Sequence, residues 1–156
     1  MIGNETNPWE HQKGLVGEAY QIYAEQGSHA VEWNPNWMTA INKSVTWFQT
    51  HFDLDHLPRE DLNANPILLD VLGFNRGHAF INGNDLGLYW LIQGSCQDPP
   101  PCCCIQTQTN CWQPTQRYYH IPSDWLVTKN NVLTVFEDSG ASSPESVNLV
   151  QRIIAT

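Results

Sequence analysis

All five cysteines fall in one stretch, Cys96, Cys102, Cys103, Cys104 and Cys111, with Pro99-Pro100-Pro101 after the first of them. Thiols this dense can ligate metal, pair as disulfides or act as nucleophiles. A zinc site needs two pairs of ligands at CxxC-like spacing, whereas this run offers a CxC inside three consecutive cysteines and two isolated thiols. A nucleophile needs a neighbouring base, and no His lies inside the run; the nearest in sequence is His120. The expectation is an oxidised loop with one or two local disulfides drawn from Cys96, Cys102, Cys104 and Cys111, and no metal. Adjacent cysteines pair poorly because their Cα atoms are only about 3.8 Å apart. The odd count leaves at least one thiol free or shared between molecules. No G-x-S-x-G marks a serine nucleophile, Ser123-Asp124 reads as the cap of a single helical turn, and no cofactor is expected.

The elements that must position these groups are short. At 156 residues the chain suits one domain and is too small for a catalytic (β/α)₈ barrel, which needs roughly 250 residues. Hydrophobic residues make up 41% and aromatic residues 11%, enough for a real core, and seven Trp, ten Gly and ten Pro favour many short strands joined by tight turns. Gly17 to Tyr23 alternates as a strand does, and Ala30-Val31-Glu32-Trp33 reads as another. From Ser44 to Phe52 the alternation is clear, with Thr46, Phe48, Thr50 and Phe52 on one face and Val45, Trp47, Gln49 and His51 on the other. Ile67, Leu69 and Val71 share a face that leaves Asp70 on the opposite one. The 78–90 segment reads as a hairpin turning at Asn82-Gly83, residues that tolerate the positive φ such turns demand. Residues 116–122, 132–137 and 147–153 supply further strands, with one helical turn at Ser123 to Leu126 and a turn at Asn130-Asn131. About eight antiparallel strands and no helix beyond a turn or two make an all-β jelly-roll sandwich, one domain over 1–156 with its core at about 14–152.

Charge narrows the partners. Seven Lys+Arg against sixteen Asp+Glu give a formal net charge of -9, so phosphate backbones and anionic lipid surfaces are repelled, and neither nucleic acid nor a membrane is expected. No stretch approaches the roughly 18 apolar residues that span a bilayer. The start, Met1 to Pro8, lacks the basic and apolar parts of a signal peptide. Two N-glycosylation triplets, Asn4-Glu5-Thr6 and Asn42-Lys43-Ser44, lean instead toward the secretory route. The expectation is a part of a larger protein of the secretory pathway, extracellular or lysosomal/vacuolar.

Asn82-Gly83-Asn84-Asp85-Leu86-Gly87-Leu88-Tyr89-Trp90 resembles the "VNGxxIGRYW" hairpin in the C-terminal, galactose-binding-like jelly roll of glycoside hydrolase family 35 β-galactosidases, the plant-like ones above all. Collinear segments agree. Trp47 to Asp53 is similar to "TWYKTYFD", Leu69 to Gly77 to "LDLxGMGKG", Pro114 to Leu126 to "PSQRWYHVPRSWL", and Asn131 to Glu137 to "NxLVVFEE". Gly14 to Glu18 and Val31 to Trp33 match near the start, so the resemblance runs from about Gly14 to Arg152. Leu88 stands where the family has Arg, which removes a five-donor cation beside two aromatics. Cys111 matches the last of the family's spaced cysteines and Cys96 the first, while Cys102, Cys103 and Cys104 have no counterparts, so no pairing is inherited.

The resemblance implies a non-catalytic domain. Retaining glycosidases set two carboxyl groups about 5 to 5.5 Å apart, and in this family both are implied to sit on the barrel, which this chain lacks. Glu18, Glu32 and Glu137 fall in strand-like segments and read as structural. Sugar binding requires aromatic faces and fixed polar partners, and the candidates are Asn82, Tyr89, Trp90, Trp112, Tyr118 and His120. Asn82 also reads as a turn residue, and Trp90 and Tyr119 as core or interface aromatics. Tyr118 and His120 lie on the strand face opposite Tyr119 and Ile121, so one of these pairs points away from the core. Two functions follow: an accessory module packed on the catalytic domain of a parent β-galactosidase, or a free-standing lectin-like module that binds galactose-containing carbohydrate weakly.

Overall fold

Two antiparallel sheets face each other across one apolar core. The computed structural model describes residues 15–55, 57, 62, 64–93, 113–114 and 116–152. All five cysteines and Trp112 lie outside the described residues. Seven strands are described: β1 (Thr46–Phe52), β2 (Ile67–Asp70), β3 (Arg76–Ile81), β4 (Asn84–Trp90), β5 (Tyr118–His120), β6 (Asn131–Glu137) and β7 (Asn148–Gln151). The larger sheet runs β1-β6-β3-β4 and the smaller β5-β2-β7. This is the all-β sandwich the strand pattern predicts.

Alternation sets which side of each strand is dry. Ile67 and Leu69 of the smaller sheet, and Ala79, Ile81, Tyr89, Leu133 and Val135 of the larger, meet in one buried cluster with Val71, Ile121 and Leu126. Phe48 and Phe52 of β1 pack against it, as their shared face requires. The opposite face of the larger sheet is not bare. Trp47 lies 5.0 Å from Phe136 and 6.0 Å from Phe80, and Tyr23 stacks on Phe80 at 4.2 Å between ring centres.

Tyr23 reaches that face because residues 15–30 coil. The expected strand at 17–23 is instead a helical turn, α1 (Val16–Ala19), followed by turns and a second helical turn, α2 (Glu25–Ser28). Its amides are satisfied locally, Tyr20 N–H donating to Val16 O at 3.1 Å and Ile22 N–H to Gly17 O at 3.0 Å, so the segment has no need of a ladder. Gly17 has no side chain where the Trp47 indole presses against it. The expected strand at 30–33 is irregular, with Trp33 Nε1 donating to Ser28 O at 3.1 Å. Period-2 alternation without a partner strand was insufficient in both places.

The hairpin forms as its turn chemistry demands. Ile81 pairs with Asn84 around Asn82 (φ 50) and Gly83 (φ 81), both left-handed as a type I′ turn requires. Ala79 pairs with Gly87 and Phe80 with Asp85, so Leu86 is a bulge that twists the edge strand β4. The turn at Ser123–Trp125 is a 3₁₀ turn with Pro122 at its N-cap, and neither Ser123 nor Asp124 caps it. Proline supplies the fixed φ that a side-chain cap would otherwise help to select. Gly83→Ala is expected to destabilise the fold by about 1 kcal/mol, seen as a lower urea midpoint at unchanged slope, because alanine resists positive φ.

Candidate functional site

The carboxylate with the densest surroundings is Glu137, at the end of β6 and fully buried. Its Oε1 accepts from Arg76 N–H (3.3 Å), Ser139 N–H (2.9 Å), Ser139 Oγ (2.8 Å) and Gly140 N–H (3.1 Å). Its Oε2 accepts from Asn75 N–H (2.8 Å) and the Tyr89 hydroxyl (2.9 Å). Both oxygens are fully engaged by protein donors, so Glu137 holds two loops and a strand together. Burial first, then the adjacent carboxylate, pushes the Tyr89 phenol far above its ordinary pKa, keeping it a donor. Tyr89 is 1% exposed and its hydroxyl is spent. This sugar-contact candidate lies on the inward side of β4, which carries it into the core. Glu18 lies in α1, its carboxylate accepting from Leu15 N–H at 3.3 Å, and Glu32 lies in an irregular exposed stretch.

Three other candidates are exposed on two separate faces. Trp90 follows Tyr89 and so points outward from the larger sheet, 49% exposed. The Arg76 guanidinium lies 5.8 Å from its ring centre and is held by Asp138 through a two-pronged contact at 2.9 and 3.0 Å. Tyr118 and His120 point out of the smaller sheet, while Tyr119 and Ile121 turn inward. Arg117 lies 5.2 Å from the Tyr118 ring centre and grips the buried Asp70 at 2.6 and 2.5 Å. Those hydrogen bonds raise the guanidinium's pKa further, against the opposing effect of burial. In each pair the cation occupies one ring face. The structure thus separates Trp90 from Tyr118 and His120 by the thickness of the sandwich.

Asn82 is tied into the fold rather than free for a ligand. Its Nδ2 donates to Trp125 O (2.7 Å) and Asn131 Oδ1 (2.9 Å), and its Oδ1 accepts from Val132 N–H (2.7 Å). These bonds fix the hairpin turn against the 3₁₀ turn, and between them opens a groove of about 400 Å³. Glu25 and His29 line one wall, Gln49 and His51 of β1 the floor, and Trp125 the far side. Among these, Gln49 and His51 were visible in the sequence only as residues sharing one face of β1. His29 and Trp125 carried no signal, because the groove is made by the folding back of residues 15–30, which alternation misassigned. A second cavity, of about 320 Å³, opens between the sheets and is mainly apolar, lined by Trp37, Phe48, Phe74, Leu133 and Val147 with Glu145 at its rim. Among the described residues no three His, Cys, Asp or Glu side chains converge to hold a metal ion.

Two facing antiparallel sheets with local helical turns define a small all-β sandwich module. Residues 45–131 match the family described as β-galactosidase, galactose-binding domain, and the chain belongs to that family. It is similar to β-galactosidase 3 of Oryza sativa subsp. japonica, at 30% identity over 164 residues. That alignment takes in 100% of this chain and 18% of the rice protein, so the chain spans less than a fifth of this relative.

Removing the acceptor at Glu137 should be severe. Glu137→Gln places an amide donor against donors and is expected to cost about 3 kcal/mol or more, whereas Tyr89→Phe removes one of six bonds and costs about 1 kcal/mol, both read from urea unfolding. The raised Tyr89 pKa adds a sign: its contribution is full below the unfolded phenol's value near 10 and is lost as pH rises above it. Tyr89→Phe should flatten the loss of stability above about pH 10 relative to the parent.

Proposed function

We propose that this chain is a non-catalytic module of a β-galactosidase-like glycoside hydrolase, a sandwich that packs on the catalytic domain and binds galactose-containing carbohydrate weakly. The observation that carries this reading is the state of Glu137. The carboxylate with the most elaborate environment in the described structure is enclosed, with six donors on its two oxygens. It serves the fold and leaves no oxygen for a glycosidic bond. Family membership, and an alignment that uses 18% of a β-galactosidase, support a module whose chemistry lies elsewhere.

Packing against a larger neighbour is supported by the outer face of β4 and its continuation. Leu88, Trp90 and Ile92 stand exposed at alternate positions, an apolar row on an edge strand. Leu88 occupies the place of the arginine expected from the family pattern and points outward opposite His78. The second reading, a free-standing lectin-like module, is favoured by the open polar groove. We further propose the secretory route, supported by the exposed position of Asn42, Lys43 and Ser44 in the turn before β1.

The purified chain is expected to leave an aryl β-galactoside uncleaved. Galactose should bind with a dissociation constant of about 1 mM or weaker, since a shallow site making two or three solvent-exposed hydrogen bonds rarely yields more than roughly 4 kcal/mol. A constant near 10 µM in a calorimetric titration would favour the lectin instead. Expression through a secretory host should add a glycan at Asn42, removed by Asn42→Gln and by Ser44→Ala, with mass spectrometry of the tryptic peptides as the check.

A further inference from the structure

We propose that the groove walled by α2, floored by β1 and closed by Trp125 is the site at which this module takes a neutral hexopyranose, with galactose as the probe; the choice of galactose rests on the carbohydrate-binding reading above. Among the described residues every buried side-chain nitrogen and oxygen has a hydrogen-bond partner. In the groove the situation is the reverse. The imidazoles of His29 and His51 have no partner among the described residues, and both are exposed. Gln49 gives its Nε2 to Thr134 Oγ1 at 3.2 Å and keeps its carbonyl oxygen. Glu25 begins α2 with an exposed carboxylate on the same rim.

The types of group select the ligand. Among the described residues no Lys or Arg lines the groove, so an anion would meet a carboxylate and no fixed cation there. No three metal-ligating side chains converge among the described residues, which removes a metal ion as the occupant. Imidazole offers one donor and one acceptor when neutral, an amide carbonyl and a carboxylate accept, and Trp125, half-buried against the core, adds apolar lining at the far side. Donors and acceptors beside apolar lining from Trp125, Val127 and Val132 match a ring that is hydroxylated at its rim and apolar on one face. About 400 Å³ is also within the range of small-molecule pockets, roughly 300 to 1,000 Å³. The two walls are fixed before any ligand arrives: Asn82 ties the hairpin turn to Trp125 O, and Tyr23 stacks on Phe80 at 4.2 Å.

The exposed aromatics Trp90 and Tyr118 lack this arrangement. Each already carries a guanidinium held by a carboxylate, and they lie on opposite faces. They serve as controls.

The test is a galactose titration of the full chain, followed through the histidine ring C–H and tryptophan indole N–H signals by NMR. Saturable shifts confined to His29, His51 and Trp125 are expected. His51→Ala and His29→Ala, both at exposed positions, should each weaken binding by about fivefold or more, the loss of one or two hydrogen bonds. Trp90→Ala and Tyr118→Ala should leave it unchanged. Shifts centred on Trp90 or Tyr118, full binding by His51→Ala, or no concentration-dependent shift of these signals up to about 100 mM galactose would each overturn the assignment. Galacturonate binding more tightly than galactose would overturn the neutral-ligand choice. These failures leave the accessory-module reading standing, because hydrolysis decides that one: cleavage of an aryl galactoside, equal in the parent and in His51→Ala, would remove it without touching the groove.

Discussion

The Glu137 carboxylate is the constraint on which one end of the sandwich depends. An ionised group buried without partners would cost several kcal/mol, and here the cost is met by gathering six donors from three places in the chain. Asn75 and Arg76 come from the start of β3, Ser139 and Gly140 from the loop after β6, and Tyr89 from β4. The geometry of each is thereby specified. With Arg76 held at its backbone, its guanidinium can meet Asp138 and lie beside Trp90. A second bond from Asn75 Nδ2 to Gly140 O closes the same loop.

The other end of β6 repeats the device with an uncharged group. Asn131 is completely buried, its Oδ1 accepting from Val127 N–H at 2.8 Å and from Asn82, its Nδ2 donating to Val127 O at 2.6 Å and Phe52 O at 3.4 Å. It joins the end of β1, the hairpin turn and the segment after the 3₁₀ turn. One central strand therefore carries a polar node at each terminus, with Leu133 and Val135 in the apolar core between them. Such nodes are costly if half satisfied and specific if complete. Completeness explains why the chain can hold its edges in register with strands of only three to seven residues.

Much of this architecture was legible because it is local. Period 2 from Ser44 to Phe52, the Asn82-Gly83 turn and the inward row Ile67, Leu69, Val71 each need only neighbouring residues to be read, and each stands as expected. What alternation cannot report is whether a partner strand exists. Residues 17–23 alternate and yet coil, since Gly17 allows the indole of Trp47 to approach and the amides close on themselves. The same blindness affected the site. Trp90 read as a core or interface aromatic and Tyr89 only as a sugar-contact candidate, but Tyr89 lies inside and Trp90 outside, and Asn82, which also read as a turn residue, is bonded in three directions. His29 and Trp125 meet His51 only after the first thirty residues fold over the sheet, a long-range event with no local signature.

The division between spent and unspent polar groups follows from these nodes. A small sandwich with 15% charged residues has few polar side chains to place, and those in its interior are consumed in holding loops to strand ends. Asn82 marks the boundary: its side chain is entirely structural, yet by fixing the turn and Trp125 it sets the width of the groove beside it. Polar capacity left over can then persist only where water reaches it, on the outer face of β1 and the coil that covers part of that face. Glu25, His29 and His51 stand there without the competing partners that immobilise Glu137 and Asn131. A ligand that replaces water at such groups meets walls already positioned by the fold, so little further ordering is required of the protein on binding.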